Sequence, residues 1–373
     1  MIYLDNNATT RVADEVVAAM VPFYTEMYGN PHSPHALGRR SNDAIEDARA
    51  EVAGLLNTTP WQIYFTSCGT ESNALVIRGL LASQPRRKIV ASAVEHPSVL
   101  ALLEDLEGRG AIELALIPVD RGGTLDLDAA RSTIDDETLL VCLMLAQNET
   151  GVIHPVAEVA AMASGVGAMV LVDAVQSAGK IPFDPEAHGA DFASISGHKF
   201  HAPKGIGALY VRKGLSLPPL WLGGGQERGL RSGTESVPLI VGLGAASRLA
   251  REKMPAQHAV ASLRDHLQQR IAGTVNGSGP RLPNTLNVSF AGIPSGELVM
   301  ALDDRGICIS GGSACQSGKR EVTSVMRAMN VPFELATGAV RFSLSRYTTA
   351  EEIEQAADAV LETLDRLKIQ EIR

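Results

Sequence analysis

The chain has 373 residues, with 33 Lys and Arg against 42 Asp and Glu for a net charge of −9, and 45% of its residues are hydrophobic. That length supports one or two large cores, and the acidic balance argues against general binding to nucleic acid or to an anionic membrane. Four cysteines, Cys68, Cys142, Cys308 and Cys315, show no CxxC spacing, so neither a disulfide framework nor a structural zinc site is indicated and a reducing cytosol fits. The start, Met1-Ile2-Tyr3-Leu4-Asp5, has no basic segment followed by an apolar one, so no secretory signal is expected. The longest mostly apolar stretch, 159–172, is broken by Ser164, Gly165 and Gly167 and is too short to span a bilayer.

In chain order, Ala44, Ile45, Ala48, Val52, Leu55 and Leu56 recur at helical spacing and predict an amphipathic helix over 41–56. Short apolar runs at 63–66, 88–91, 112–117, 139–145, 169–172, 192–195 and 207–211 alternate with helical stretches, which predicts a mostly parallel sheet covered by helices. After Val237-Pro238 comes a long helical stretch, then strands at 286–290 and 307–310 of a second unit. Thr349-Ala350-Glu351-Glu352 is a capping box, and Ile353, Ala357, Val360, Leu364 and Leu367 give the helix after it one apolar face.

Ligands of open sheets collect at the carboxyl ends of the strands, where Ser67, Asp173 and Ser196 fall. Ser196-Gly197-His198-Lys199 places an amine behind a hydroxyl and an imidazole, and Asp173-Ala174-Val175-Gln176 ends another run with an acid and an amide. Pyridoxal phosphate chemistry needs such a set: an amine to hold an aldehyde and move a proton, and a carboxylate to keep a pyridine nitrogen charged. Gly69-Thr70-Glu71-Ser72 opens a helix after a strand, so its amides point toward an anion such as phosphate. Taken alone, Lys199 reads as a surface lysine, Gly69-Thr70 as an ordinary turn, and His96, Asn148 and Gln176 as loop polars. His32 and His35 lie in a proline-broken segment with no obvious third ligand, so no metal site is expected.

The order of motifs is more specific than any one of them. Leu4-Asp5-Asn6-Asn7-Ala8-Thr9-Thr10, Thr66-Ser67-Cys68-Gly69-Thr70-Glu71-Ser72, Glu95-His96-Pro97, Asn148-Glu149-Thr150-Gly151, Asp173-Ala174-Val175-Gln176, Arg231-Ser232-Gly233-Thr234 and Ser313-Ala314-Cys315 occur as in class V pyridoxal enzymes. Together they resemble the cysteine desulfurases, most closely the nitrogen-fixation type, over nearly the whole chain. The resemblance implies an α/β architecture, the type I pyridoxal-phosphate transferase fold: a large domain over 12–247, and a small α/β domain from 1–11 and 248–373 that carries the cysteine loop.

It also implies roles. Pyridoxal 5′-phosphate would be held by Gly69, Thr70, Ser196 and His198, with Thr234 arriving from the neighbouring subunit of a homodimer. His96 would lie over the ring, Gln176 and Asn148 near the ring oxygen, and Asp173 at the ring nitrogen. Lys199 would be the base, Asn148 and Arg341 would hold the carboxylate of L-cysteine, and Cys315 would take the sulfur as a persulfide, leaving L-alanine. Buried inert thiol is a good reading of Cys142 and a fair one of Cys308, but Cys315 sits in a small-residue loop. The sulfur would pass to an acceptor protein or small thiol, for iron-sulfur assembly or another pathway, and Lys319 and Arg320 after the cysteine are cations that could draw an acidic acceptor. A class V aminotransferase or selenocysteine lyase, with Cys315 incidental, is the first alternative. A non-catalytic scaffold is the second, and the joint presence of Lys199, Asp173, His96 and Cys315 argues against it. Gln147, Ala74 and the 319–322 segment depart from the usual family pattern.

Overall fold

The structure is a computed structural model that describes residues 1–311 and 322–371. The strands are β1 (Ile2–Tyr3), β2 (Ile63–Thr66), β3 (Lys88–Ser92), β4 (Glu113–Ile117), β5 (Thr138–Met144), β6 (Met169–Asp173), β7 (Phe192–Ser196) and β8 (Gly207–Val211). Further along lie β9 (Thr274–Val275), β10 (Thr285–Ser289), β11 (Ile307–Cys308), β12 (Ser310–Gly311) and β13 (Ala339–Ser343).

Seven strands form one sheet in the order β2-β8-β7-β6-β5-β3-β4. Only β8 runs against the rest, so the mostly parallel sheet expected from the sequence is present. All seven residues of β5 are buried, as a strand covered by helices on both faces requires. Because β2, β3, β5, β6 and β7 share a direction, Thr66, Ser92, Met144, Asp173 and Ser196 end at one edge. The segments that follow them are thereby gathered into one place.

The helix expected over 41–56 begins earlier, at Ala36, and runs to Leu55. His35 caps it by accepting from the Gly38 amide at 3.2 Å, a signal that apolar periodicity does not carry. This helix packs on Val237–Glu252, where a Cβ on Gly244 would lie 2.6 Å from the Ala48 Cα. Glycine is therefore what permits the close approach.

A four-stranded sheet, β12-β13-β10-β9, and the β1-β11 pair make up the rest. The strand expected over 307–310 is split: Ile307–Cys308 pairs parallel with β1, while Ser310–Gly311 pairs antiparallel with β13. The chain changes sheets at Ile309. β13, fully buried, was not expected as a strand. Leu4, Leu286, Phe342, Ile353 and Val360 share a second core here, whereas Val325, Met326 and Met329 pack into the core of the large sheet. The capping box forms, with the Thr349 amide donating to Glu352 Oε2 at 2.9 Å and the Glu352 amide to Thr349 Oγ1 at 3.2 Å.

Candidate active site

A cavity of about 350 Å³ opens at the shared carboxyl edge of the large sheet. Gly69 and Thr70 reach it from the turn after β2, His96 from the turn after β3, and Asn148 from beyond β5. Asp173 and Gln176 reach it from β6, Ser196, His198 and Lys199 from β7, and Arg341 from β13. Ten of the residues selected from the sequence thus line a single cavity. Thr234 does not line it, but lies in a separate hollow of about 210 Å³ with Thr66, Ser67 and Arg231. Cys315, Lys319 and Arg320 lie outside the described residues. His32 bonds Glu235 at 2.8 Å, and among the described residues no group of three or more His, Cys, Asp or Glu is placed to hold a metal ion.

Lys199 Nζ donates to the carbonyls of Asn7 at 2.7 Å and Ala8 at 2.9 Å. Burial, with the nearby charge of Arg341, pulls its pKa from 10.5 down to about 8, while Asp173 and Asp5 oppose the shift. A lysine in that state gives up its proton easily near neutral pH. Asp173, also in the cavity wall, accepts from Asn73 Nδ2 at 3.0 Å and from the Val175 amide at 3.0 Å. These two donors fix the carboxylate and keep it aimed.

His96 Nδ1 accepts from the Ser98 amide at 3.0 Å, which leaves Nε2 to carry the proton of the neutral ring. Burial lowers its pKa, Asp173 raises it and Lys199 lowers it again, with a net fall. His198 is pushed down to about 4, first by burial and then by Lys199, Lys204 and Lys180. Both imidazoles are consequently neutral at pH 7. Arg341 donates from Nη2 to Asp5 Oδ1 at 2.8 Å and from Nη1 to the Asn148 carbonyl at 3.0 Å, and its buried Nε has no partner.

The sequence reading missed several residues that hold these groups. Asn7 carries the acceptor for Lys199, Asn73 orients Asp173, and Lys180 lies buried behind Gln176. Asn7 stands inside a motif already singled out, so its position was a signal. Nothing in the spacing of Asn73 or Lys180 marks them, because their roles come from contacts across the fold.

A profile for the aminotransferase class-V family matches residues 2–356. Cysteine desulfurase NifS of Azotobacter vinelandii is 46% identical over 363 residues, covering 95% of this chain and 90% of that protein. Cysteine desulfurase 2 of Trichormus variabilis is 44% identical over 375 residues, covering 99% and 94%. The chain belongs to the class-V aminotransferase family, among the cysteine desulfurases. Among solved structures, a NifS-like protein superposes with a TM-score of 0.92 at 40% identity, over 98% of this chain and 99% of that one. A second, SspA in complex with cysteine, gives 0.84 at 32% identity over 94% and 100%.

Enzymes of this family work with pyridoxal 5′-phosphate, and the donor set here fits it. Gly69 and Thr70 open the helix Gly69–Ser83 at the cavity wall, and a Cβ on Gly69 would meet Val175 Cγ2 at 2.6 Å. Hydroxyl and imidazole groups of Ser196 and His198, a fixed carboxylate on Asp173 and a lysine of lowered pKa, Lys199, line the same cavity. The same residues would be an expensive set to bury without an anionic, aromatic guest.

Proposed function

We propose that this chain is a pyridoxal phosphate-dependent cysteine desulfurase that converts L-cysteine to L-alanine and passes the sulfur to an acceptor through a persulfide on Cys315. The observation that carries this reading is the convergence of Lys199, Asp173, His96 and Arg341 on one cavity, in a chain whose relatives are cysteine desulfurases. When bound, pyridoxal 5′-phosphate supplies an aldehyde that captures the substrate amine and a ring that takes up the electrons released at the α-carbon. The phosphate would rest on the Gly69-Thr70 amides with Ser196 and His198.

Asp173 would keep a proton on the ring nitrogen of the bound group, and its two fixed donors keep it from turning away. Gln176 and Asn148 would face the ring oxygen. Arg341, with Asn148, orients the substrate carboxylate, which a planar guanidinium grips through two parallel bonds. Lys199 Nζ, whose proton is held less tightly than that of an exposed lysine, takes the α-proton once it is neutral. His96 Nε2 handles the proton at the substrate thiol. The Cys315 thiolate then attacks the substrate sulfur: a sulfur-sulfur bond forms, the carbon-sulfur bond breaks with its electron pair left on carbon, and protonation of that carbon together with return of the α-proton completes L-alanine.

The same reading makes the enzyme a cytoplasmic homodimer in which Thr234 completes the phosphate site of the neighbouring subunit, supported by its place outside the cavity of its own chain. It divides the chain into a cofactor-binding domain over 12–247 and a small domain from 1–11 and 248–373. The acceptor is a sulfur-carrying protein, of iron-sulfur cluster assembly or another sulfur pathway, or a small thiol. Among the described residues no helix is long and apolar enough to cross a membrane. The test is a Cys315→Ser variant supplied with L-cysteine: the visible spectrum of the cofactor stays near that of the parent, while alanine and persulfide formation vanish. Alanine and sulfide released at the parent rate would instead make the protein a lyase that does not use this thiol.

A further inference from the structure

The steps above leave one buried cation without a task. Lys180 is 7% exposed, and its Nζ donates to Gln176 Oε1 at 2.8 Å and to Asn7 Oδ1 at 2.9 Å. Both acceptors are neutral amide oxygens, although a buried lysine is ordinarily paired with an acid. Burial, with Lys199 and Arg341 adding to it, draws its pKa well below 10.5. Such a group is retained at a cost in stability, so its contacts are where a benefit should be sought.

Those contacts lead into the cavity. Gln176 Nε2 donates to the Asn7 carbonyl at 3.0 Å, and Lys199 Nζ donates to the same carbonyl at 2.7 Å. Asn7 is itself held from behind, donating to Thr285 Oγ1 at 2.8 Å and accepting from Asn284 Nδ2 at 3.0 Å. An ammonium group has donors only. Gln176 Oε1 must therefore face Lys180, the amide cannot flip, and what it can offer the cavity is the second hydrogen on Nε2. The Asn7 carbonyl, an acceptor, holds Nε2 the same way round, and Lys180 is the second anchor, at the oxygen end of the amide.

We infer that Lys180 is a positioning residue: by donating to Gln176 Oε1 it helps lock that amide as a hydrogen-bond donor toward the ring oxygen of pyridoxal phosphate. The inference rests on the reading of the cavity as a pyridoxal phosphate site with Gln176 at the ring oxygen. Lys180 touches neither cofactor nor substrate in this arrangement. Its influence passes through one side chain.

The test compares two ligands on the apoprotein, pyridoxal 5′-phosphate and its 3-deoxy analogue, which lacks only the ring oxygen. Dissociation constants are read from quenching of protein fluorescence for the parent, Lys180→Met, Gln176→Ala and the double variant. The parent should prefer pyridoxal phosphate by about tenfold or more, the value of a charge-supported hydrogen bond. Lys180→Met should weaken pyridoxal phosphate about tenfold and the deoxy analogue less than about twofold, and the double variant should discriminate no less than Gln176→Ala alone. Lys180→Gln, one atom shorter, uncharged and able to accept as well as donate, is read by the same ratio and covers the case in which the Met variant does not fold. Equal weakening of both ligands in a variant that still unfolds cooperatively would overturn the inference and leave Lys180 a packing residue. A parent that fails to discriminate would overturn instead the placement of Gln176 at the ring oxygen, and the inference with it.

Discussion

Glu95 is a buried acid that the fold keeps protonated, and replacing it by glutamine should reverse its effect on stability between acid and alkaline pH. The residue is 1% exposed. Its Oε1 accepts from the Met144 amide at 2.7 Å and from Ser92 Oγ at 2.8 Å, while the buried Oε2 has no partner. Burial, helped by the negative charge of Asp173, pushes the carboxyl from 4.5 up to about 8 against those two bonds. Below pH 4.5 folded and unfolded chains both carry the proton. Between 4.5 and about 8 only the folded chain keeps it, so stability falls as pH rises through that window and levels off above it. The full loss is roughly 5 kcal/mol at about 1.4 kcal/mol per tenfold change. Glu95→Gln abolishes the titration and keeps both bonds to Oε1, but its amide buries N–H groups without acceptors, at about 1–3 kcal/mol. The variant should therefore be the less stable protein at pH 5 and the more stable by about 3 kcal/mol above pH 8. Urea unfolding of both proteins across this range measures the difference, in which all other titrating groups cancel. A difference that stays constant with pH would show that Glu95 ionises normally, and the reasoning would fail.

Two further outcomes follow from the same structure. Glu227→Ala removes a carboxylate whose side chain is 3% exposed, that bonds both terminal nitrogens of Arg49 at 2.8 and 2.9 Å and accepts from the Phe65 amide at 2.7 Å; it should cost about 3 kcal/mol in urea unfolding, and a loss under about 1 kcal/mol would mean that Glu46 and the Ile63 carbonyl suffice for Arg49. Mixing inactive Lys199→Ala subunits with inactive Thr234→Val subunits should restore one working site per heterodimer, and verified heterodimers without activity would place Thr234 in the site of its own subunit.

The large sheet was legible because each of its strands is a short apolar run between helical stretches, and burial on both faces is what that pattern reports. The strand ends then located Asp173 and Ser196 without further information, whereas Ser67, picked by the same rule, lines the separate hollow with Thr234. Where the reading fell short, the decisive interaction was remote in sequence. β13 has Arg341 at its centre, and a buried arginine in a strand reads as a polar interruption until Asp5 and the Asn148 carbonyl are brought beside it. The 307–310 run could not announce its split, since β1 and β13, which divide it, are hundreds of residues away or beyond it in the chain. Lys180 is the sharpest case: within Gly179-Lys180-Ile181 it has the look of a turn lysine, and only packing reveals that its ammonium is buried among amide oxygens.

The partners chosen for the cations of the cavity bear on how it accepts an anion. Lys199 is held by the carbonyls of Asn7 and Ala8, and Lys180 by two amide oxygens. Neutral oxygens satisfy the hydrogen bonds of these groups without an ion pair, so an anion arriving in the cavity has no carboxylate to displace from either lysine. Arg341 is different, because Asp5 already occupies one of its nitrogens. On the proposed function, binding of the substrate carboxylate there would be an exchange of one carboxylate for another, or a sharing of the guanidinium between Nη2 and the unpartnered Nε. Exchange contributes little net free energy, but it spares Arg341 a buried, unpaired charge whenever substrate departs. On the proposed function, the cavity would thus meet its cofactor with lysines that no carboxylate holds and its substrate by exchange of carboxylates, the arrangement suited to a group that stays and a molecule that must leave.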